Sequence, residues 1–202
     1  MQLLHIDSSI TGAQSVSRQL TAGVVARLKQ TSPGLSVTYR DLAAEPVPQQ
    51  SPSILFAKGG VAVDAEVVDE VAATETVLDE FLAADIVVVG APMYNFGIPS
   101  QLKAWIDCLA VAGKTFSYSA TGVQGLAGGK RVIIASSRGG FYSAPSPMAS
   151  LDHQESFLAG FFGFIGVTDI SFVRAEGVNI SPQQRETALA AALAEATTLK
   201  AA

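Results

Sequence analysis

Three loops in this sequence of 202 residues carry the chemical groups needed to bind a small ligand. The first loop, residues 8–17, reads SSITGAQSVS and leads from a short apolar run into a helical pattern. Its serines offer hydroxyl donors without charge, and the start of a helix adds unpaired N–H groups and the positive end of a dipole. This combination suits a phosphate site, and plain capping of the helix by Ser15 or Ser17 explains the same residues equally well.

The second loop, residues 90–99, reads GAPMYNFGIP and follows an unbroken apolar run. Met93, Tyr94 and Phe96 offer apolar and aromatic surface, and Asn95 carries both donors and an acceptor for the edge of a ring. These side chains either close the end of the core or form a wall against a ligand. Because ligands of parallel α/β folds bind at the carboxyl ends of strands, the position of this loop favours the wall.

The third loop, Ser136–Tyr142, reads SSRGGFY. Its adjacent glycines, Gly139 and Gly140, allow backbone N–H groups to approach a ligand closely. Taken alone, this loop is more simply interpreted as an ordinary glycine turn. Taken together, the three loops suit one ligand with a phosphate at one end and a flat, hydrogen-bonding ring at the other. Flavin mononucleotide (FMN) fits that description.

The elements that must position these loops alternate between strand and helix. Apolar runs predict five strands, at Leu3–Ile6, Ser36–Arg40, Asp85–Gly90, Lys130–Ser136 and Asp169–Arg174. Helical spacing and helix-start signals predict five helices, from Ser17 to about Gln30, from Asp64 to about Ala83, from Ser100 to about Leu109, over Leu151–Ile165, and from Ser181 to the C-terminus. Residues 41–60 are predicted as a connection, and residues 113–129 as an excursion that can form a hairpin.

This alternation predicts one domain over residues 1–202, with a parallel sheet covered by helices. The order of the strands is left open between a Rossmann-like and a flavodoxin-like layout, and both place ligands at the carboxyl ends of strands. The loops after the first, third and fourth predicted strands are therefore the places to look for function.

Composition excludes several classes of protein. A net charge of −5, with 13 Lys and Arg against 18 Asp and Glu, argues against binding to nucleic acid. Apolar residues make up 49% of the chain, and charged residues make up 15%. These fractions predict an ordered globular protein, and they favour burial of some apolar surface in a subunit interface. The single cysteine, Cys108, permits no intrachain disulfide and favours a reducing compartment.

No targeting or metal-binding pattern stands out. The first residues, MQLLH, have no positive region, and no apolar run reaches the roughly 18–20 residues of a membrane span. We therefore expect a cytoplasmic protein without membrane insertion. His5 is predicted to be structural, His153 at most a proton relay, and Cys108 a packed side chain. No metal ligands and no catalytic acid are predicted.

The chain resembles the FMN-dependent NADH:quinone oxidoreductases and azoreductases, a flavodoxin-like family of homodimers. The resemblance covers essentially the whole chain. It is carried by Ser8-Ser9, Ser15-Val16-Ser17, Pro92 to Phe96, Ile98-Pro99, Leu102-Lys103, Trp105-Ile106-Asp107, Thr115-Phe116, Gly125-Leu126, Ser137 to Gly140, and Gly163 to Gly166. It implies a flavodoxin-like three-layer sandwich, with a five-stranded parallel sheet and helices on both faces.

The resemblance also implies bound FMN, with NADH or NADPH as the electron donor. The implied phosphate contacts come from Ser9, Ser15, Val16 and Ser17, and the implied ring contacts come from Met93, Tyr94, Asn95, Phe96, Ser137, Arg138, Gly139 and Gly140. Candidates for the substrate slot are Phe96, Tyr118 and Phe161. The family often has Gln where this chain has Val16, so only a backbone N–H is available there. The stretch after Gly140 departs from the family pattern.

The activity implied is two-electron (hydride) transfer from NAD(P)H to quinones and azo compounds, by a ping-pong mechanism through the flavin. Backbone donors around Gly139 and Gly140 are candidates to stabilise negative charge on the reduced ring. The alternative is a flavodoxin-type electron carrier, but the modest net charge and the apolar loops favour an enzyme. A third possibility is a cofactor-free regulatory protein on the same fold, which would not bind FMN.

Overall fold

The apolar runs of the sequence form the central strands of a parallel sheet in the computed structural model, which describes residues 1–200. Seven strands occur, namely β1 (Gln2–Asp7), β2 (Ser36–Asp41), β3 (Ile86–Pro92), β4 (Phe116–Ser119), β5 (Gly122–Gly125), β6 (Arg131–Ser137) and β7 (Asp169–Ala175). Five of them make one sheet in the order β2-β1-β3-β6-β7, with every neighbouring pair parallel. This is the flavodoxin-like order and not the Rossmann-like alternative.

Within residues 1–200, five α-helices lie between these strands in the sequence and a sixth follows β7. They are α1 (Val16–Thr31), α2 (Pro52–Lys58), α3 (Val68–Ala83), α4 (Ser100–Leu109), α5 (Gln154–Phe164) and α6 (Pro182–Ala196). The sequence did not predict α2, which lies inside the expected connection at residues 41–60. Its start has ordinary signals, because Ser51 accepts a hydrogen bond from the N–H of Ile54 and Pro52 occupies the first turn. The prolines and glutamines before this short helix are typical of a loop, so the sequence pattern does not indicate a helix there.

Other boundaries agree more closely with the expectation. The antiparallel pair β4 and β5 confirms the hairpin predicted within residues 113–129. Helix α5 begins at Gln154, after one turn of 3₁₀ helix at Ala149–Leu151, and not at Leu151. Helix α6 ends at Ala196 and so does not extend over residues 197–200, while residues 201 and 202, also predicted as helical, lie outside the described residues.

Two apolar layers hold the helices against the sheet. Leu20, Val24 and Leu28 of α1 pack with buried residues of α6 and of the strands on one face. On the other face, α3, α4 and α5 meet around three large rings, and the centroids of Phe81 and Trp105 lie 6.2 Å apart. Each fully buried Leu or Phe contributes about 1.5–3 kcal/mol relative to exposure. Because every residue of β3 is buried, the sheet is covered on both faces, as a three-layer sandwich requires.

The three loops suspected from the sequence meet at one edge of this sheet. The order of strands makes β1, β3 and β6 direct neighbours, so their carboxyl ends lie side by side. The hydroxyl of Ser8 donates to the carbonyl of Gly90 over 2.6 Å and so joins the first loop to the second. Gly90 is required at this crossing, because a Cβ there would lie 2.7 Å from Oδ1 of Asp7.

No helix in the described part of the chain is both long and apolar enough to cross a membrane. Within residues 1–200, no group of three or more His, Cys, Asp or Glu side chains is arranged to hold a metal ion. Cys108 is buried in α4, and burial raises the pKa of its thiol. His5 is buried in β1, with its ring centroid 4.8 Å from that of Tyr39, and His153 is exposed at the start of α5.

Candidate functional site

A cavity of about 450 Å³ opens at the carboxyl edge of the sheet, between the three loops and the start of α6. This volume lies within the roughly 300–1,000 Å³ of small-molecule sites. Seven of the residues predicted from the sequence line it, namely Ser9, Ser15, Val16, Met93, Tyr94, Ser137 and Gly139. The other lining residues are Thr11, Gln14, Pro92, Val178, Asn179 and Arg185.

The first loop combines both roles that the sequence left open. Ser15 is the N-cap of α1, and its hydroxyl accepts a hydrogen bond from the N–H of Arg18 over 3.3 Å. The hydroxyl of Ser17 lies 3.0 Å from that of Ser15 and is buried behind it. The N–H groups of Val16 and Ser17 come too early in α1 for an intrahelical acceptor. Capping therefore leaves donors at the cavity that suit an anion.

An ion pair between Arg18 and Asp41 fixes the first loop. The guanidinium of Arg18 donates to the carbonyl of Ser9 over 2.7 Å and to both carboxylate oxygens of Asp41 over 2.6 and 2.7 Å. This hydrogen bonding raises the pKa of Arg18 and lowers the pKa of Asp41. The charge of Arg18 is thus matched within the protein, and its role is to position the backbone of Ser9.

The second loop forms a wall that is tied to the first. The hydroxyl of Tyr94 lies 3.2 Å from that of Ser9 and accepts a hydrogen bond from the N–H of Ile10 over 3.3 Å. The N–H of Met93 donates to the carbonyl of Ser137 over 2.8 Å, which joins the second loop to the third. Met93 and Tyr94 both line the cavity, and these bonds to the first and third loops fix their positions there.

A tight turn follows the wall. Tyr94 and Gly97 exchange two backbone hydrogen bonds, and Asn95 and Phe96 between them have φ angles of 49° and 70°. Two successive positive φ angles define a type I′ turn. Phenylalanine in this region costs about 1–2 kcal/mol, and the N–H of His153, which donates to the carbonyl of Phe96 over 3.1 Å, helps to hold it there.

The third loop is supported from below by buried charge. The side chain of Arg138 is fully buried and pairs with three carboxylates: Asp152 at 2.8 Å, Glu155 at 2.6 Å and Glu176 at 3.1 Å. Glu176 also accepts hydrogen bonds from the N–H groups of Tyr142 and Ser143. Burial raises the pKa of Glu176, but these donors and Arg138 together bring it below its ordinary value. The loop is therefore anchored at both of its ends.

The glycines of this loop present free backbone donors. The carbonyls of Gly139 and Gly140 accept hydrogen bonds from the N–H groups of Asn179 and Gly177, whereas within residues 1–200 their own N–H groups have no acceptor. A Cβ on Gly139 would lie 2.8 Å from Nδ2 of Asn179. The close packing of these two segments explains why a glycine stands at position 139.

Several predicted site residues lie outside the cavity lining. The guanidinium of Arg138 points into the ion cluster, and its N–H already donates to Ala175, so the structure does not place a ring contact from this residue. Tyr118 is 73% exposed on the hairpin, and Phe161 packs against Phe157 and Phe162 on α5. Other predicted residues border the lining without belonging to it, namely Ser17, Asn95, Phe96 and Gly140.

Three lining residues come from a part of the chain that the sequence analysis did not consider. Val178, Asn179 and Arg185 follow β7, whose carboxyl end lies at the same edge of the sheet. The rule that ligands bind at such ends applies to the loop after β7 as well. The cap signal at Ser181-Pro182 also fixes the start of α6, which places Arg185 in its first turn and could have drawn attention to it.

The donors of the cavity fit FMN. The first loop offers hydroxyls and helix N–H groups for a phosphate, whereas the second loop offers a Met and Tyr wall and the third loop offers glycine N–H groups for the edge of a ring. All three loops line one continuous cavity, as a ligand with both features requires. The cavity lies at the switch point between β1 and β3, where proteins with a flavodoxin-like strand order hold their ligands.

Comparison with known proteins agrees with this class. A family model described as "Flavodoxin-like fold" matches residues 1–199. The chain is 57% identical over 202 residues to FMN-dependent NADH:quinone oxidoreductase 2 of Bradyrhizobium diazoefficiens, with the whole of both chains covered. It is 54% identical over 206 residues to FMN-dependent NADH:quinone oxidoreductase of Rhizobium meliloti, again with both chains fully covered.

A solved structure gives the same result. The crystal structure of an azoreductase from Bacillus anthracis strain Sterne superposes with a TM-score of 0.90 at 32% identity, covering 98% of this chain and 97% of the other. The chain therefore belongs to the flavodoxin-like family that includes the FMN-dependent NADH:quinone oxidoreductases and azoreductases. The family and the fold predicted from the sequence are both confirmed.

Proposed function

We propose that this protein is an FMN-dependent NADH:quinone oxidoreductase that also reduces azo compounds. The observation that carries the proposal is the single cavity that joins a serine-rich helix start to a wall of Met93 and Tyr94. The names of the relatives and of the solved azoreductase support the choice of FMN, NADH, quinones and azo compounds. When bound, FMN supplies the hydride chemistry.

The residues of the chain divide into two groups around the cofactor. Ser9, Ser15 and the N–H groups at the start of α1 bind the phosphate. Met93 and Tyr94 lie along the ring, and the free N–H groups of Gly139 and Gly140 stabilise negative charge at its edge. These groups are held by bonds between neighbouring loops, so little reorganisation is needed when the ligand binds.

The proposed mechanism is ping-pong, with donor and acceptor using the same face in turn. Phe96 follows the lining residue Tyr94 by two positions, is 41% exposed, and has its ring centroid 6.2 Å from that of Tyr142. We assign these aromatic side chains to the acceptor side, where a planar quinone or azo compound can stack. Initial rates measured at several concentrations of NADH and quinone should give parallel double-reciprocal lines, and intersecting lines would contradict the mechanism.

We also propose that the protein is a homodimer. Tyr118 and Phe164 are exposed but both contact Phe116, with centroids 5.4 and 4.8 Å away, which makes an aromatic cluster on the hairpin side of the molecule. Leu55 and Phe56 of α2 are exposed as well. A second copy can cover such side chains. Analytical ultracentrifugation should find a dimer, and a fully active monomer would contradict the proposal.

Steady-state kinetics with FMN, both nicotinamides and a panel of quinones and azo compounds test the function directly. We expect FMN-dependent oxidation of NADH with quinone as the acceptor. Binding of FMN without turnover of any two-electron acceptor would indicate a flavodoxin-type carrier instead. Failure to bind FMN at all would indicate a cofactor-free protein on the same fold.

The assignment of Phe96 has its own test. Phe96→Ala should change the KM and kcat for the acceptor more than it changes the affinity for FMN, because the side chain lies outside the cavity lining. Fluorescence titration with FMN and kinetics with one quinone measure the two effects on the same preparation. Equal losses in both would place Phe96 on the cofactor side of the ring.

A further inference from the structure

Among residues 1–200, the cavity lining has a single charged side chain, and it comes from the start of α6. Arg185 lines the cavity, whereas the other lining residues are neutral. Its Nη2 donates to the carbonyl of Gln14, which lies in the loop before α1. Among the described residues, Arg185 forms no ion pair, whereas Arg18 is matched by Asp41 and Arg138 by three carboxylates. Arg185 therefore keeps its charge available for an anion.

The position of this cation is set by the first loop. Gln14 directly precedes Ser15, the N-cap of α1, so the guanidinium is bonded to the segment that leads into α1, and Ser15 and Val16 line the same cavity. Residue 16 is a buried valine, which contributes no polar side chain there. The hydroxyls and N–H groups at this end are neutral, so they leave the charge of an anion to be matched by the helix dipole and by Arg185.

A phosphate monoester brings a charge of about −1.5 to −2 near neutral pH. The dipole of one helix is equivalent to only about half a positive charge, and the chain as a whole has a net charge of −5. A guanidinium has five N–H donors in a planar fork that suits phosphate oxygens. Arg185 can thus keep its bond to Gln14 and still offer donors to a phosphate.

We propose that Arg185 is a further cofactor-binding residue, which pairs with the phosphate of FMN across the mouth of the cavity. The inference rests on the proposed function for the identity of the phosphate-bearing ligand. It adds an electrostatic contact from α6, an element that follows the fifth strand of the sheet, to those from the first loop. The hydrogen bond from the same side chain to the carbonyl of Gln14 also links α6 to the first loop.

The test compares FMN with riboflavin, which has the same ring and no phosphate. Enzyme stripped of FMN is titrated with each flavin, and binding is followed by quenching of flavin fluorescence. Arg185→Gln should weaken FMN binding about tenfold or more and leave riboflavin binding unchanged. Arg185→Lys, which keeps the charge without the fork, should fall in between. The loss of FMN affinity should shrink as salt is raised.

Arg27→Gln is the matched control. Arg27 also donates to a backbone carbonyl, that of Leu199 over 3.3 Å, and it lies outside the lining of the cavity on α1. The two variants thus remove the same charge and the same kind of hydrogen bond, but only one of them changes the site. We expect Arg27→Gln to bind FMN as the natural protein does.

Three outcomes would overturn the inference. An unchanged affinity of Arg185→Gln for FMN would show that Arg185 does not pair with the phosphate. Equal losses for FMN and riboflavin would show that Arg185 acts by shaping the cavity. A raised KM for NADH with unchanged FMN affinity would assign the cation to the nicotinamide donor. Failure of the proposed function is a separate result, since it would appear as no FMN binding, or no quinone reduction, by the unmodified protein.

Discussion

Arg138 and Arg185 lie at the same edge of the sheet, yet their surroundings give them opposite roles. The side chain of Arg138 is fully buried and is surrounded by Asp152, Glu155 and Glu176. Arg185 is partly exposed and lines the cavity, and its one hydrogen-bond partner within residues 1–200 is the backbone carbonyl of Gln14. A buried cation needs partners within the protein, because an unpaired buried charge is costly. A cation at a cavity can keep its charge for a ligand.

The largest expected effect comes from removing the buried cation. Arg138→Met leaves three carboxylates close together without their common partner, and it should lower the free energy of unfolding by about 3–5 kcal/mol. Urea unfolding followed by circular dichroism measures this change. The companion Arg138→Lys keeps a charge without the planar fork and should recover part of the loss. If Arg138→Met were as stable as the natural protein, the cluster would have no structural role.

A smaller effect is expected from one of the carboxylates, and it depends on pH. Because the folded state holds the pKa of Glu176 below the ordinary value of 4.5, the stabilisation is complete above that pH and is lost as the pH falls through the folded pKa. Glu176→Gln removes the carboxyl group that takes up a proton in acid. The free energy of unfolding of the variant should therefore fall less steeply with decreasing pH than that of the natural protein, by up to about 1.4 kcal/mol per pH unit.

Unfolding curves recorded between pH 3 and pH 7 measure that slope. The natural protein and the Glu176→Gln variant should still both lose stability in acid, because the pKa of Asp41 is also lowered by Arg18. Only the difference between the two curves reports on Glu176. Parallel curves would mean that Glu176 has the same pKa in the folded and unfolded states.

The smallest change in the free energy of unfolding is expected from substitution of Arg185. Arg185→Gln should alter the free energy of unfolding of the FMN-free protein by no more than about 0.5 kcal/mol, since it removes no ion pair and no buried packing. Thermal unfolding without FMN tests this value. A loss comparable to that of Arg138→Met would erase the distinction between the two residues and make Arg185 a structural group.

The loops that line the cavity could be predicted from the sequence because their signals are local. The loops after β1, β3 and β6 were predicted from strand ends alone, and the order of strands brings those ends together. Ser15 was recognisable as a helix cap from its own neighbours, and it occupies that position. Gly139 and Gly140 were recognisable as backbone donors, and their N–H groups are unbonded among residues 1–200.

The burial of a side chain and its distant partners could not be predicted from such local signals. Arg138 lies next to Gly139 in the sequence, but its carboxylate partners come from residues 14 to 38 positions later in the chain, so nothing nearby showed that it would be buried. Arg185 was overlooked for the converse reason, because it reaches Gln14 across 171 positions. The surroundings of Tyr118 and Phe161 depend on contacts between segments that are distant in the sequence, so local patterns could not assign these side chains to a site.

The backbone of Phe96 has a consequence for how this protein can change over time. With φ at 70°, position 96 is one that glycine occupies without strain, whereas phenylalanine costs about 1–2 kcal/mol there. Selection for stability alone would drive this position towards glycine. Under the role proposed for its ring, stability favours glycine at position 96, whereas activity favours phenylalanine. Laboratory evolution for heat resistance without an activity screen should lose this ring early.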